Sequence, residues 1–340
     1  MTPRRFPAGG TLLALALLLL VTLVVAASLG DVALRPSAVA RAVLHRAVSA
    51  IPPADDLTAG IVWELRLPRV LLAALVGATL SVAGVSLQGL LGNPLADPYT
   101  IGVSSGASVG AGAAILLGLG AAWGGLALPL MAFAAALLTM LLVFALARVG
   151  GTLHAASFLL AGIIAGSFLW AVMTLLLSLA QQEQRTILNW LMGRFADADW
   201  SKVALLFPLT LGGTLLLAAC GRGLDAFSFG EDTARSVGVE VERFKAGILA
   251  LAALLTAASV SVSGIIGFVG LVVPHLARSL VGPPHRTLLP AAALLGAILT
   301  VLADLIARLI LPGQEIPVGV VTALIGAPFF CLLLRRQMGQ

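Results

Sequence analysis

Long apolar runs separated by short polar ones set the pattern of this 340-residue chain. The runs lie near Leu12–Ala27, Val70–Leu91, Ile101–Leu119, Leu126–Ala147, Phe158–Ala180, Val203–Cys220, Leu288–Ala307 and Val318–Leu334. Each is about long enough to cross a hydrocarbon core of roughly 30 Å as a helix. The run Ala246–Leu280 is different, because its roughly 35 residues would make a single helix of about 52 Å. It must bend back, and Ser263-Gly264-Ile265-Ile266-Gly267-Phe268-Val269-Gly270 supplies the glycines for a tight turn, with Pro274 limiting the helix that follows. Two crossings here bring the total to ten, an even number that returns Arg335 and Arg336 to the side where Arg4 and Arg5 begin.

Arg4 and Arg5 ahead of Leu12–Ala27 also fit a signal peptide. That run slightly exceeds the usual apolar core of such a leader and many spans follow, so an uncleaved first helix with a cytoplasmic amino terminus is expected. Residues 31–69 form the longest outside loop on this topology, with Arg41, His45 and Arg46 on a weakly amphipathic stretch and Asp55, Asp56 and Glu64 after it. His45 reads as a solvated loop residue. In the third span Gly102, Gly106, Gly110, Ala114 and Gly118 recur every four residues, a ladder that lets a neighbouring helix approach closely.

The largest strongly hydrophilic segment, Gly221–Lys245, holds nine charged residues between two apolar blocks, on the inner side after six crossings. Ser228 followed by Glu231 fits a capping box, and Gly238 fits the residue that ends the helix. A helix of about two turns is too short to be stable alone, so this one is expected to pack against a soluble partner.

Composition sharpens the class: 60% hydrophobic and 10% charged residues, with a mean hydropathy of +1.08, describe an all-α polytopic membrane protein, a single transmembrane domain over residues 1–340. Soluble domains carry about 25% charge. The formal charge of +5 is spread over loops and lacks the basic clustering that nucleic acid needs. Eleven Lys and Arg fall inside and nine outside, a weak asymmetry that leaves the outer arginines in want of a reason. Cys220 and Cys331 sit at the ends of apolar spans and indicate no disulfide or metal framework.

Catalytic patterns are missing. A phosphate-binding loop needs Gly-Lys-Ser/Thr, whereas Lys202 and Lys245 follow Ser201 and Phe244, so the chain is not expected to hydrolyse ATP. The four histidines lack metal-ligand spacing, and His275 reads as a packing or capping residue. The alternative class is an ion-coupled secondary transporter, which places carboxylates deep in the membrane. Only Asp97, in a Pro-Leu-Ala-Asp-Pro turn, and Asp304, one helical turn from Arg308, lie in or beside spans.

Phe227-Ser228-Phe229-Gly230-Glu231-Asp232-Thr233-Ala234-Arg235-Ser236-Val237-Gly238 resembles the coupling segment of the ATP-binding-cassette importer permeases that carry ferric siderophores, haem and cobalamin. Arg66-Leu67-Pro68-Arg69, Gln88 to Pro98, Gly102-Val103-Ser104-Ser105-Gly106-Ala107, Gly267 to His275 and Pro317 to Pro328 extend that resemblance over about 270 residues; the first 60 match in general character only. The resemblance implies a homodimer of about ten membrane helices per chain in a bacterial inner membrane, both termini cytoplasmic, with a pathway along the two-fold axis. It implies two separate ATPase subunits, which use the ATP, against Ser228, Phe229, Gly230, Glu231, Asp232, Thr233, Arg235 and Gly238, and no cofactor on the permease itself. Asn93 and Leu95, which by themselves fit a plain turn, match an inner gate. Arg66, Arg69 and Arg308, which by themselves fit membrane anchors, match arginines that pair with an extracytoplasmic substrate-binding protein and are expected to point into the outer water. Scattered hydroxyls such as Ser259, Ser261 and Ser263 are expected on an otherwise apolar pore wall.

Overall fold

A computed structural model describes residues 8–30, 32–47, 54–149, 152–311 and 313–338; Arg4, Arg5 and Asp31 lie outside them. The regular elements of the described residues are helices apart from one hairpin of two-residue strands. In order it runs α1 (Ala8–Ser28), α2 (Pro36–Ala47), α3 (Asp56–Gly60), α4 (Leu67–Leu91), α5 (Val103–Leu116), α6 (Ala127–Ala147), β1 (Arg148–Val149), β2 (Thr152–Leu153), α7 (Ala155–Leu179), α8 (Gln184–Leu191), α9 (Trp200–Ala219), α10 (Gly221–Phe227), α11 (Glu231–Ser236), α12 (Val241–Ser263), α13 (Val269–Val281), α14 (His285–Leu309) and α15 (Val318–Met338).

Among the described residues seven helices are long and apolar enough to cross a membrane, and α5, α13 and α15 are shorter apolar ones. The run expected at Ile101–Leu119 is only fourteen residues long as α5, because short 3₁₀ turns at Pro98–Ile101 and Leu119–Gly125 take up its flanks. The bend expected after α12 is present. Gly264 (φ +73°) leaves α12, and Phe268, a bulky residue at φ +67°, starts α13. Phe268 is packed so closely on α15 that a side chain at Gly326 would lie 2.4 Å from its Cβ. Pro274 lies within α13 and does not end it.

The supposed outer loop also differs. Asp55 caps α3 by accepting from the Thr58 amide at 2.9 Å, and a π-helical turn over Ile61–Arg66 joins α3 to α4, so one helical rod runs Asp56–Leu91. His45 is on α2 and half-buried, not in a loop.

At the centre α4 and α14 pack antiparallel: Arg69 meets Asp304, Gly77 meets Gly296 and Gly89 meets His285. An added Cβ at Gly77 would lie 2.2 Å from the Gly296 carbonyl, so the two backbones touch, as small residues permit inside a membrane. Of the ladder expected in the third span, Gly106 and Gly110 serve the same end, whereas Gly118, past the end of α5 at φ +68°, has nothing within 4 Å. A Cβ at Gly106 or Gly110 would run into Thr139 or Met131 of α6.

Candidate functional site: two polar ends of one bundle

At one end of α4 and α14 stand the three arginines. The wider π turn swings Arg66 beneath α1, where its Nη1 donates to the Ala27 and Ser28 carbonyls at 2.8 Å each and its Nη2 to Val32. Arg308 donates to the carbonyls of Ala26 and Leu29, both at 3.2 Å. The carbonyls of Ala26, Ala27, Ser28 and Leu29 lie at the end of α1, where a helix leaves acceptors unpaired within itself and its dipole is negative, so the two guanidinium groups cap it. Arg69 makes a two-sided contact: Asp304 lies 2.9 Å from Nη2 and Glu315 2.7 Å from Nη1. Asp304, 1% exposed, also pairs with Arg308 at 3.1 Å.

The expectation that Arg66, Arg69 and Arg308 point into open water is therefore corrected. Arg66 is 7% exposed and the other two are largely covered, because carbonyls and carboxylates of the chain satisfy them. They still reach the surface together, at the floor of a recess of about 320 Å³ bordered also by Gly30, Leu65, Ala196 and Glu315. Three cations face two carboxylates there, leaving an excess of one positive charge.

The opposite end carries the polar segment. The N-cap of α11 is Gly230, not Ser228, so the capping box does not form. Ser228 is instead the C-cap of α10, where its Oγ donates to the Leu224 carbonyl at 3.1 Å. Packing decides this: Leu224 and Phe227 are buried, and Phe227 stacks on Phe244 at 5.2 Å, holding α10 up to Phe227 and leaving Ser228 as its C-cap. Glu231 is bound by Lys245 at 3.2 Å. The C-terminal expectation holds, since Gly238 (φ +88°) donates to Arg235 and Val239 to Ala234, the paired bonds of a Schellman ending.

Sequence reasoning missed what anchors this segment. Lys245, 4% exposed, lies between Glu231 and Glu242, and Glu242 in turn accepts from the Leu153 amide of the hairpin at 2.8 Å. Asp225 of α10 receives both the amide and Nδ1 of His285 at the start of α14. The signal was faint: Lys245 is one of only two lysines beside many arginines. Phe229 (80% exposed), Asp232, Thr233, Arg235 and Val237 face outward, with Asp232 and Arg235 paired to each other.

Between α4 and α5, Asn93 Oδ1 accepts from the Leu95 amide at 2.9 Å, a side-chain-closed turn with Leu95 exposed. Gln88 ties this turn to α13, its Oε1 accepting from Arg278 at 2.7 Å. Next to the turn, burial pushes the Asp97 carboxyl up to about 6. Ser259, Ser261 and Ser263 are all buried inside the chain. Ser261 and Ser263 bond to carbonyls at the end of α12 and, with Trp190, Arg194 and Lys202, border a recess of about 290 Å³, which Ser259 does not reach. Asp304, expected to be neutralised by Arg308, is held by Arg69 as well.

The FecCD transport family model matches residues 18–336. The ABC transporter permease protein YvrB of Bacillus subtilis is 47% identical over 322 residues, 94% of this chain and 91% of that one. The cobalamin import system permease protein BtuC of Halobacterium salinarum is 45% identical, covering 82% of this chain and 74% of that one. A solved structure described as an inward-facing conformation of an ABC transporter of metal-chelate type superposes with a TM-score of 0.83 at 33% identity, covering 96% of this chain and 98% of that one. With nearly its whole length matched by one family model and by relatives of this similarity, the chain belongs to the FecCD transport family.

Proposed function

We infer that the chain is the permease subunit of an ATP-binding-cassette importer that moves a metal chelate, of the ferric siderophore, haem or cobalamin kind, across a bacterial inner membrane. It works as a homodimer, binds no cofactor of its own and leaves ATP hydrolysis to two ATPase subunits. The observation that carries the reading is the placement of the two polar ends. His285 and Arg308 lie near opposite ends of α14, whose 25 residues make about 37 Å, close to the thickness of a bilayer. In this reading α11 faces the ATPase in the cytoplasm, the arginine recess receives a carboxylate of an extracytoplasmic binding protein, and Asn93 and Leu95 close the inner gate. The ion-coupled alternative gains nothing from Asp304, which two arginines already engage.

Lys245 binds Glu231 inside the chain, so the outward residues give the cleaner test. In proteoliposomes with the ATPase subunits, Phe229→Ala combined with Asp232→Lys should abolish ATPase attachment and ATP-dependent chelate uptake while the permease stays inserted. Full uptake by that variant would overturn the assignment of α11.

A further inference from the structure

The recess contains two carboxylates of unequal standing. Asp304 is 1% exposed, sits between Arg69 and Arg308, and cannot leave without stranding a buried charge. Glu315 is 46% exposed and takes the other edge of the Arg69 guanidinium, Oε1 accepting from Nη1 at 2.7 Å and Oε2 from Nη2 at 3.1 Å. That is the bidentate geometry a carboxylate from another protein would use. Glu315 also borders the recess, so an incoming acid meets it at the only edge of Arg69 that Asp304 leaves over.

The segment carrying Glu315 can give way. It joins α14 to α15, and Leu311, Gly313, Gln314 and Glu315 are all exposed. Within it the Gln314 amide donates only to the neighbouring Leu311, and the long-range anchors begin just after it, where the Ile316 amide donates to Ala307 and Val318 to Gly193. A displaced Glu315 would enter water, where a carboxylate is well solvated, and an ion pair this exposed is weak.

We propose that Glu315 is a built-in placeholder: it occupies the edge of Arg69 that the docking protein's carboxylate takes, and docking displaces it. The proposal rests on the reading of the arginine recess as the docking site. It gives that site a reversible character, since each departure of the partner is assisted by an internal carboxylate that re-forms the pair without a long search. The displaced residues, Gly313 to Glu315, then report occupancy on the permease itself.

The test uses the full-length permease in nanodiscs and the substrate-binding protein encoded with it, with docking measured by surface plasmon resonance. Glu315→Gln should tighten docking by about two- to fivefold, the value of one exposed ion pair. In an Arg69→Gln background the same change should have no effect, since there is no edge left to compete for. A nitroxide at Gln314 should gain mobility when the binding protein docks. Equal tightening in both backgrounds would assign Glu315 a long-range charge effect and overturn the placeholder. So would unaltered docking in Glu315→Gln, or a label that stays fixed, provided the triple change of Arg66, Arg69 and Arg308 to Glu still abolishes docking. If that triple reversal leaves docking intact, the docking reading itself fails.

Discussion

Replacing Lys245 by methionine should free α11 from the bundle without unfolding the bundle. The lysine is 4% exposed and holds Glu231 at 3.2 Å and Glu242 at 2.9 Å. Methionine fills most of the same volume, while both carboxylates, 47% and 43% exposed, can turn to water. The loss therefore falls between that of an exposed ion pair, about 0–1 kcal/mol, and that of breaking a fully buried one, about 3–5 kcal/mol. A value of about 2 kcal/mol corresponds to a ~30-fold larger population of the undocked segment. Hydrogen–deuterium exchange on the purified permease reads this directly: amides of residues 231–239 should exchange on the order of 30 times faster, and the Leu153 amide, which Glu242 accepts, should follow. Amides in the middle of α12 should not change. Acceleration below about threefold over 231–239 would refute the reasoning and assign the hold to the buried Ala234 and to the Phe227–Phe244 stack. Glu231→Gln, which keeps an acceptor and loses the charge, should give a smaller effect in the same direction.

A side chain at Gly84 would lie 1.9 Å from the Gly270 carbonyl, so Gly84→Ala should force α4 and α13 apart. The cost is about 1–3 kcal/mol, visible as a lower thermal midpoint in detergent, whereas Gly247→Ala, with nothing within 4 Å, should leave the midpoint unchanged; equal behaviour of the two would discount the close approach. Leu95, exposed at the end of the closed turn, should as Leu95→Cys cross-link between two permeases in a nucleotide-dependent way, and no cross-link under any nucleotide condition would leave Asn93 and Leu95 as a turn alone.

Much of this molecule is written locally. A helix in a bilayer must satisfy its own backbone hydrogen bonds and present apolar side chains along its length, so α1, α4, α6, α7, α9, α12 and α14 announce themselves as runs of hydrophobic residues. The break between α12 and α13 follows from an apolar run longer than a hydrocarbon core, whereas the equally long rod Asp56–Leu91 begins with the charged residues Asp56, Glu64, Arg66 and Arg69. The ending at Gly238 is local too, because a left-handed residue is a property of glycine and its neighbours. The family signatures likewise lie in short contiguous stretches.

What only the tertiary structure decided is which charges meet. Arg69 and Asp304 are 235 positions apart, Asp225 and His285 sixty, and Glu231 and Lys245 fourteen; no spacing rule along one helix links them. Ser228 looked like a cap because a serine three residues ahead of a glutamate often is one, but the burial of Leu224 and Phe227 claimed it for the preceding helix. The three arginines looked solvent-facing because a helix end at a membrane surface usually is. The unpaired carbonyls of α1 were a competitor that the local pattern could not reveal, and a planar five-donor cation binds such carbonyls well. Each departure has the same cause: apolar burial is decided over short stretches, whereas the partner of a charged group depends on which chain ends the packing brings within about 4 Å.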